Sequence, residues 1–185
     1  MSAQMEERET MVKTSHVAGQ LLASAMAFFF LSFVFAYFYL RELNNAHLWK
    51  PKGIQAPVGT GAAFAALVVL SALAIWLGAH GKGGRAAMLG IGLALGVAAL
   101  VVQVVEWFRI GFGPDNGGYA SVFVGWTGFY FLIVAVTLVF VEVQFATALR
   151  AGAGSDEDPG LRPLAFFWAF IAAVGVITWV ILYTL

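Results

Sequence analysis

Residues 17–40 read VAGQLLASAMAFFFLSFVFAYFYL, a stretch without one charged side chain. A helix that crosses a bilayer needs about 20 mostly apolar residues, and this run supplies them. Four more uncharged stretches follow at 57–77, 86–105, 118–141 and 163–185, separated by short polar connectors. The pattern predicts an all-α polytopic membrane protein, a bundle of five transmembrane helices over roughly 17–41, 57–78, 86–108, 118–148 and 162–184. Residues 1–16 form a polar cytoplasmic segment in this reading, and 17–185 one membrane domain. The first apolar run is longer than the apolar core of a signal peptide and follows a mixed-charge start, so it reads as a retained helix.

Composition agrees with that pattern. Of the 185 residues, 61% are hydrophobic and 11% charged, against about 25% charged in a soluble domain. Lipid must therefore solvate most of the surface. The formal net charge is zero, which argues against nucleic acid as a partner. With no cysteine, disulfides, iron–sulfur clusters and thiolate metal sites are excluded.

Charge asymmetry gives an orientation. If the N-terminus is inside, the inner segments hold six basic residues (Arg8, Lys13, Lys82, Arg85, Arg150, Arg162) and the outer ones four (Arg41, Lys50, Lys52, Arg109). The positive-inside rule then favours N-terminus in and C-terminus out. Trp49, Trp107, Trp168 and Trp179, with Tyr37, Tyr39 and Tyr183, read as aromatic belts at headgroup level. The phenylalanine-rich first helix is bulky on every side and is expected to touch both protein and lipid. Gly92 and Gly96 form a small-xxx-small pair that lets a neighbouring helix approach. They do not make a nucleotide fingerprint, because no strand precedes them. The run 113–118, Gly-Pro-Asp-Asn-Gly-Gly, is a turn.

Side chains able to hold a redox centre are scarce. His16, His47 and His80 fall outside the predicted helices and lack ligand spacing. Met26 and Met88 read as packing residues. No haem or metal site is expected in the chain itself, and no nucleophile–base arrangement suggests catalysis. Two carboxylates lie at or near membrane depth, where an acid is costly and hence a functional candidate. Glu106 ends the third helix, and its structural reading is a pairing with Arg109 or an outer-loop group. Glu142 lies toward the inner end of the fourth helix. It either snorkels to the headgroups or pairs with a partner subunit. A proton-coupled transporter using either acid is a further alternative. It is weakened by the absence of an internal repeat and of mid-helix prolines.

The order of several short motifs adds a family likeness. Gln103-Val-Val-Glu106-Trp107 is followed by Asp115, then Tyr119-Ala-Ser121-Val-Phe123, then Thr127-Gly128-Phe129. This resembles cytochrome c oxidase subunit III, in which Q-x-x-E-W leads through an outer loop to Y-x-S-x-F and T-G-x-H-G-x-H-V. Leu22-Ala-Ser24, Phe35-Ala-Tyr37-Phe38-Tyr-Leu40-Arg41 and Phe167-Trp168-Ala-Phe170 extend the likeness over nearly the whole chain, in the manner of the shorter five-helix members. The chain departs from the family at Ala25, where the family has glutamate, and at Tyr130, Ile133 and Ala169, where it has histidines.

The resemblance implies a non-redox accessory subunit of a haem-copper terminal oxidase in a bacterial-type inner membrane. Haem and copper would lie in partner chains, above all the catalytic subunit I, and phospholipid would fill the cleft between helices. A subunit-III-like protein of nitric oxide reductases shares most of these motifs and is the alternative. Gln103, Glu106, Trp107, Asp115, Tyr119 and Ser121 are expected to form a mutually satisfied core at the outer end. Thr127, Gly128 and Glu142 complete the candidate structural, lipid or subunit contacts.

Overall fold

The computed structural model describes residues 2–44, 49–81, 84–151 and 160–185. Its described residues form five helices and a terminal π-helical turn: α1 (Ser2–Glu42), α2 (Val58–His80), α3 (Arg85–Arg109), α4 (Gly118–Ala151), α5 (Leu161–Trp179) and the turn Val180–Thr184. All five helices contain stretches long and apolar enough to cross a membrane. The membrane-length part of α1 begins at Lys13, and the polar residues before it continue the same helix. His16 therefore lies on α1 and His80 at the last position of α2, not in connectors. Polar residues do not stop a helix whose backbone bonds are made internally, so hydropathy placed the start of α1 too late and the end of α2 too early. His47, Lys82 and the acidic run 155–158 fall outside the described residues.

The helices alternate in direction. Near one end, Thr60 of α2, Glu106 of α3 and Tyr183 after α5 meet. Near the other, Gly78 of α2 sits against Met88 and Leu89 of α3, and Gly19 of α1 against Pro163 of α5. Short connectors dictate this order, since each can only return the chain to the leaf it has just left.

Close packing centres on α2, α3 and α5. Gly92 stands where an added Cβ would lie 2.5 Å from Cγ1 of Ile75. Gly96, one turn on, faces α4 instead: its Cβ would lie 2.5 Å from Cδ2 of Leu138. The small-residue pair thus serves two neighbours, α2 and α4. At mid-depth the Ser71 hydroxyl donates to the Gly92 carbonyl (2.6 Å) and accepts from Trp168 Nε1 (3.1 Å). Three helices share that one hydroxyl.

Trp168 is fully buried, and Tyr37, Trp49 and Tyr183 are buried as well, so these four belong to the core and not to an aromatic belt. Each ring has protein to cover it and, for Trp168 and Tyr183, a polar partner deep in the bundle. Tyr39 keeps an exposed position. On α1, Phe30 is buried while Phe28 and Phe35 are exposed. The helix meets protein on one side only.

Candidate functional site

The strongest concentration of polar side chains within the bundle lies at the C-terminal end of α3. Gln103 and Glu106 are one turn apart and therefore share a face. Each is only 1% exposed. The Gln103 amide donates to Oε2 of Glu106 at 2.8 Å. The Tyr183 hydroxyl donates to the same oxygen at 2.7 Å. Thr60 Oγ1 lies 3.0 Å from Oε1 of Glu106 and 2.8 Å from the Pro57 carbonyl.

Local backbone explains how these groups meet. Gly61 follows Thr60 at the start of α2, and a Cβ there would come within 2.6 Å of the Tyr183 ring. Its absence lets that ring pass over α2 to the carboxyl. The π-helical turn widens the chain after Trp179 and buries Ile181, Leu182 and Tyr183 in succession. A regular α-helix would turn one of three consecutive side chains away. Trp179 Nε1 donates to the Val58 carbonyl at 3.2 Å, pinning the tail to α2 just before the turn.

The remaining motif residues gather around this centre without joining it. Trp107 Nε1 donates to Thr127 Oγ1 (3.1 Å), and Thr127 donates to the Phe123 carbonyl (2.7 Å), tying α3 to α4. The Tyr119 hydroxyl donates to the Leu182 carbonyl (2.7 Å), tying α4 to the tail. Ser121 Oγ lies 2.5 Å from the Pro114 carbonyl and 3.1 Å from that of Gly117, closing the loop before α4. Asp115 is exposed on that loop. Gly128 has open space where its Cβ would be. Glu142 is exposed on α4, with exposed Val139, Phe140 and Val143 around it. These residues therefore satisfy their polar groups in four separate pieces, with Asp115 outside all of them.

Glu106 does not pair with Arg109. Residues three apart can meet on a helix, but Gln103, Thr60 and Tyr183 fill the two carboxyl oxygens, and Arg109 is exposed. Thr60, Gly61 and Tyr183 were not singled out by motif reading. The available signal was a Thr-Gly pair opening an apolar helix and a hydroxyl near the end of an otherwise apolar tail.

The departures from the family pattern have visible consequences. Tyr130 occupies a fully buried position, and its hydroxyl donates to the Ile171 carbonyl at 2.7 Å. Gly175 lacks a Cβ where that hydroxyl lies. Ala169 lines an apolar groove of about 440 Å³ between α2 and α5, together with Ala72, Trp76 and Ala173. Ala25 is exposed on α1. Among the described residues no group of three histidine, aspartate or glutamate side chains could hold a metal ion.

No family model matches the chain. Curated relatives do. It is 28% identical over 166 residues to cytochrome c oxidase subunit 3 of Lemur catta, covering 84% of this chain and 61% of that protein. The protein of the same name from Rhipicephalus sanguineus is 29% identical over 167 residues, covering 85% and 63%. That from Equus caballus is 28% identical over 166 residues, covering 84% and 64%. The chain spans somewhat over three fifths of the length of these relatives. It is a multi-pass, all-helical membrane protein and a divergent homologue of the proteins named cytochrome c oxidase subunit 3.

Proposed function

We propose that this chain is a non-redox accessory subunit of a haem-copper terminal oxidase, seated in a bacterial-type inner membrane with its N-terminus inside. The observation that carries this reading is likeness to subunit 3 proteins over 84–85% of the chain. The Gln103–Glu106–Trp107 motif supports it. These three residues fasten α3 to α2, α4 and the C-terminal tail. Haem and copper reside in partner chains. This chain contributes a rigid apolar wall against the catalytic subunit and a surface that phospholipid covers.

Glu142 is the polar point of that surface. It stands exposed among exposed Val139, Phe140 and Val143 on α4. A carboxylate facing bare hydrocarbon costs about 2 kcal/mol or more. A hydrogen-bond donor or cation on the catalytic subunit offsets that cost, so α4 is the docking helix.

Purification of the intact complex in mild detergent tests the reading. Chains that travel with this one should include a haem-binding subunit with the absorption bands of a terminal oxidase. Recovery without any haem-binding partner overturns the proposal, and recovery with a nitric oxide reductase moves the chain to that complex. Glu142→Ala should lower retention of the partner through detergent washing and leave the folded chain intact.

A further inference from the structure

We propose that Glu106 is a proton-binding site: its carboxyl is neutral in the folded protein, with the proton on Oε1 donated to Thr60. The inference comes from counting hydrogens and stands whatever complex the chain joins. Four groups can share hydrogen bonds here, and their positions fix who donates. A glutamine amide donates through Nε2, so Gln103 gives a hydrogen to Oε2 of Glu106. The Tyr183 hydroxyl gives another to the same oxygen. Oε2 then behaves as a carbonyl oxygen with both lone pairs used.

Oε1 has one neighbour, the Thr60 hydroxyl at 3.0 Å. That hydroxyl owns a single hydrogen and also lies 2.8 Å from the Pro57 carbonyl oxygen. A separation of about 2.7–2.8 Å is that of a made O–H···O bond. Two oxygens so close repel unless a hydrogen sits between them. The Thr60 hydrogen therefore points to Pro57, although that carbonyl also accepts the Thr60 and Gly61 amides at 3.2 and 3.3 Å. Oγ1 of Thr60 is left as an acceptor, and the hydrogen between it and Glu106 has to come from Oε1. The result is a directed chain, Glu106 to Thr60 to Pro57, with Gln103 and Tyr183 closing the other side. An ionised carboxylate, which only accepts, leaves one of these two short contacts without a hydrogen.

The charged and titratable surroundings agree. Tyr183 faces Glu106 from the C-terminal tail, and Tyr119 of α4 stands nearby with its hydroxyl committed to the Leu182 carbonyl. Thr60 is the contact from α2. Arg109, one turn further along α3, is exposed. Among the described residues no lysine, arginine or histidine is ion-paired with Glu106. A carboxylate 1% exposed and without a cation would be an unpaired charge in a low-dielectric interior, whereas the acid is an ordinary polar group with three bonds.

Infrared spectroscopy of the protein purified with its partners tests this directly. At neutral pH the wild-type spectrum should contain the carbonyl stretch of a protonated carboxylic acid, missing from Glu106→Gln. The amide should replace the acid with little cost, since its NH₂ donates to Thr60 and its carbonyl accepts from Gln103 and Tyr183. Its melting temperature should move by less than about 2 °C. Thr60→Val, which removes the acceptor, should shift the band upward as its O–H bond is lost. That arm keeps the test alive if Glu106→Gln does not fold. Absence of a protonated-acid band in the wild type overturns the proposal. A band present but unmoved by Thr60→Val overturns the assignment of the proton to Oε1.

Discussion

α1 and α5 both cross the lipid, but they are held to the bundle by different means. In α1, 17% of the residues in the most apolar 18-residue stretch are buried; the figures are 50% for α5 and 44% for α2. α5 and its tail make their contacts through hydrogen bonds and missing side chains. Trp168 reaches Ser71, Tyr183 reaches Glu106, and Gly61 and Gly175 clear space for Tyr183 and Tyr130. α1 meets α4 through rings: Phe30 against Phe129 and Tyr130, and Phe33 nearly parallel to Trp126 at 5.9 Å. Lipid tails are as apolar as leucine, so burying apolar area does not by itself favour helix association. Helices that must stay together need close approach or shared polar groups. By that measure α2, α3, α4 and α5 form the permanent core. α1 is an attached helix whose other faces are left for lipid or a partner.

The largest expected effect comes from filling the core contact. Gly92→Val places a Cβ within 2.5 Å of Ile75 Cγ1 and 3.2 Å of the Ser71 carbonyl. Overpacking of this kind costs about 1–3 kcal/mol, and each kcal/mol is worth about 2–4 °C in a chain of this size. The control lies on the α1 side. At Gly125 the nearest atom to an added Cβ is Cε1 of Phe33 at 3.8 Å, so Gly125→Ala should leave the melting temperature unchanged. Equal losses at the two positions, measured by thermal unfolding in detergent, would erase the distinction between core and attached helix.

Ser71→Ala sharpens the same contrast with a smaller expected loss. It removes the bond to the Gly92 carbonyl and strands the Trp168 indole N–H in a fully buried position. Interhelical hydrogen bonds in membranes are worth about 0.6 kcal/mol on average and about 1.7 at most. The loss should therefore be roughly 1–2 kcal/mol, with Trp168 fluorescence shifting to the blue as its hydrogen bond is lost. An unchanged stability would mean that close packing alone holds α5.

Much of this architecture was readable in the sequence, for a simple reason. Length and lack of charge decide whether a segment can span, and both are local. The five spans, the approach allowed by Gly92 and Gly96 and the motif around Glu106 all followed. Which face of a helix is buried was far less readable. In soluble proteins hydropathy marks that face, but here both protein-facing and lipid-facing surfaces are apolar. Trp168 and Tyr183 were therefore assigned to the headgroup region, when they are core residues. Glu106 was singled out as an acid at membrane depth with Gln103 beside it, but its other partners, Thr60 and Tyr183, were not. Thr60, Gln103 and Tyr183 come from three parts of the chain, and only tertiary contact selects them over Arg109.

The smallest effect probes the connector that ties α1 to α4. Trp49 stacks edge-on against Tyr37 and Tyr119, and its carbonyl accepts the Tyr119 amide at 2.8 Å. Beside it, Lys50 Nζ lies 4.4 Å from the centre of the Tyr119 ring. A cation–π contact at an exposed site such as that of Lys50 gains about 0.5–1 kcal/mol. Partial burial, and then the positive charge of Arg41, hold the Lys50 amine below its ordinary value of 10.5, working against the ring. The folded protein thus binds this proton less firmly than the unfolded chain does. Stability contributed by Lys50 should rise as pH climbs through the amine's lowered range, and the gain is complete above 10.5. Lys50→Met keeps the stem over Tyr119 and removes the charge. Its melting temperature at neutral pH should fall within about 2 °C of the parent, since ring attraction and charge repulsion oppose each other. Toward alkaline pH the parent should gain on the variant. If the parent instead loses ground as pH rises, the ring outweighs burial and Arg41, and the connector clamps α1 more firmly than its exposed helix suggests.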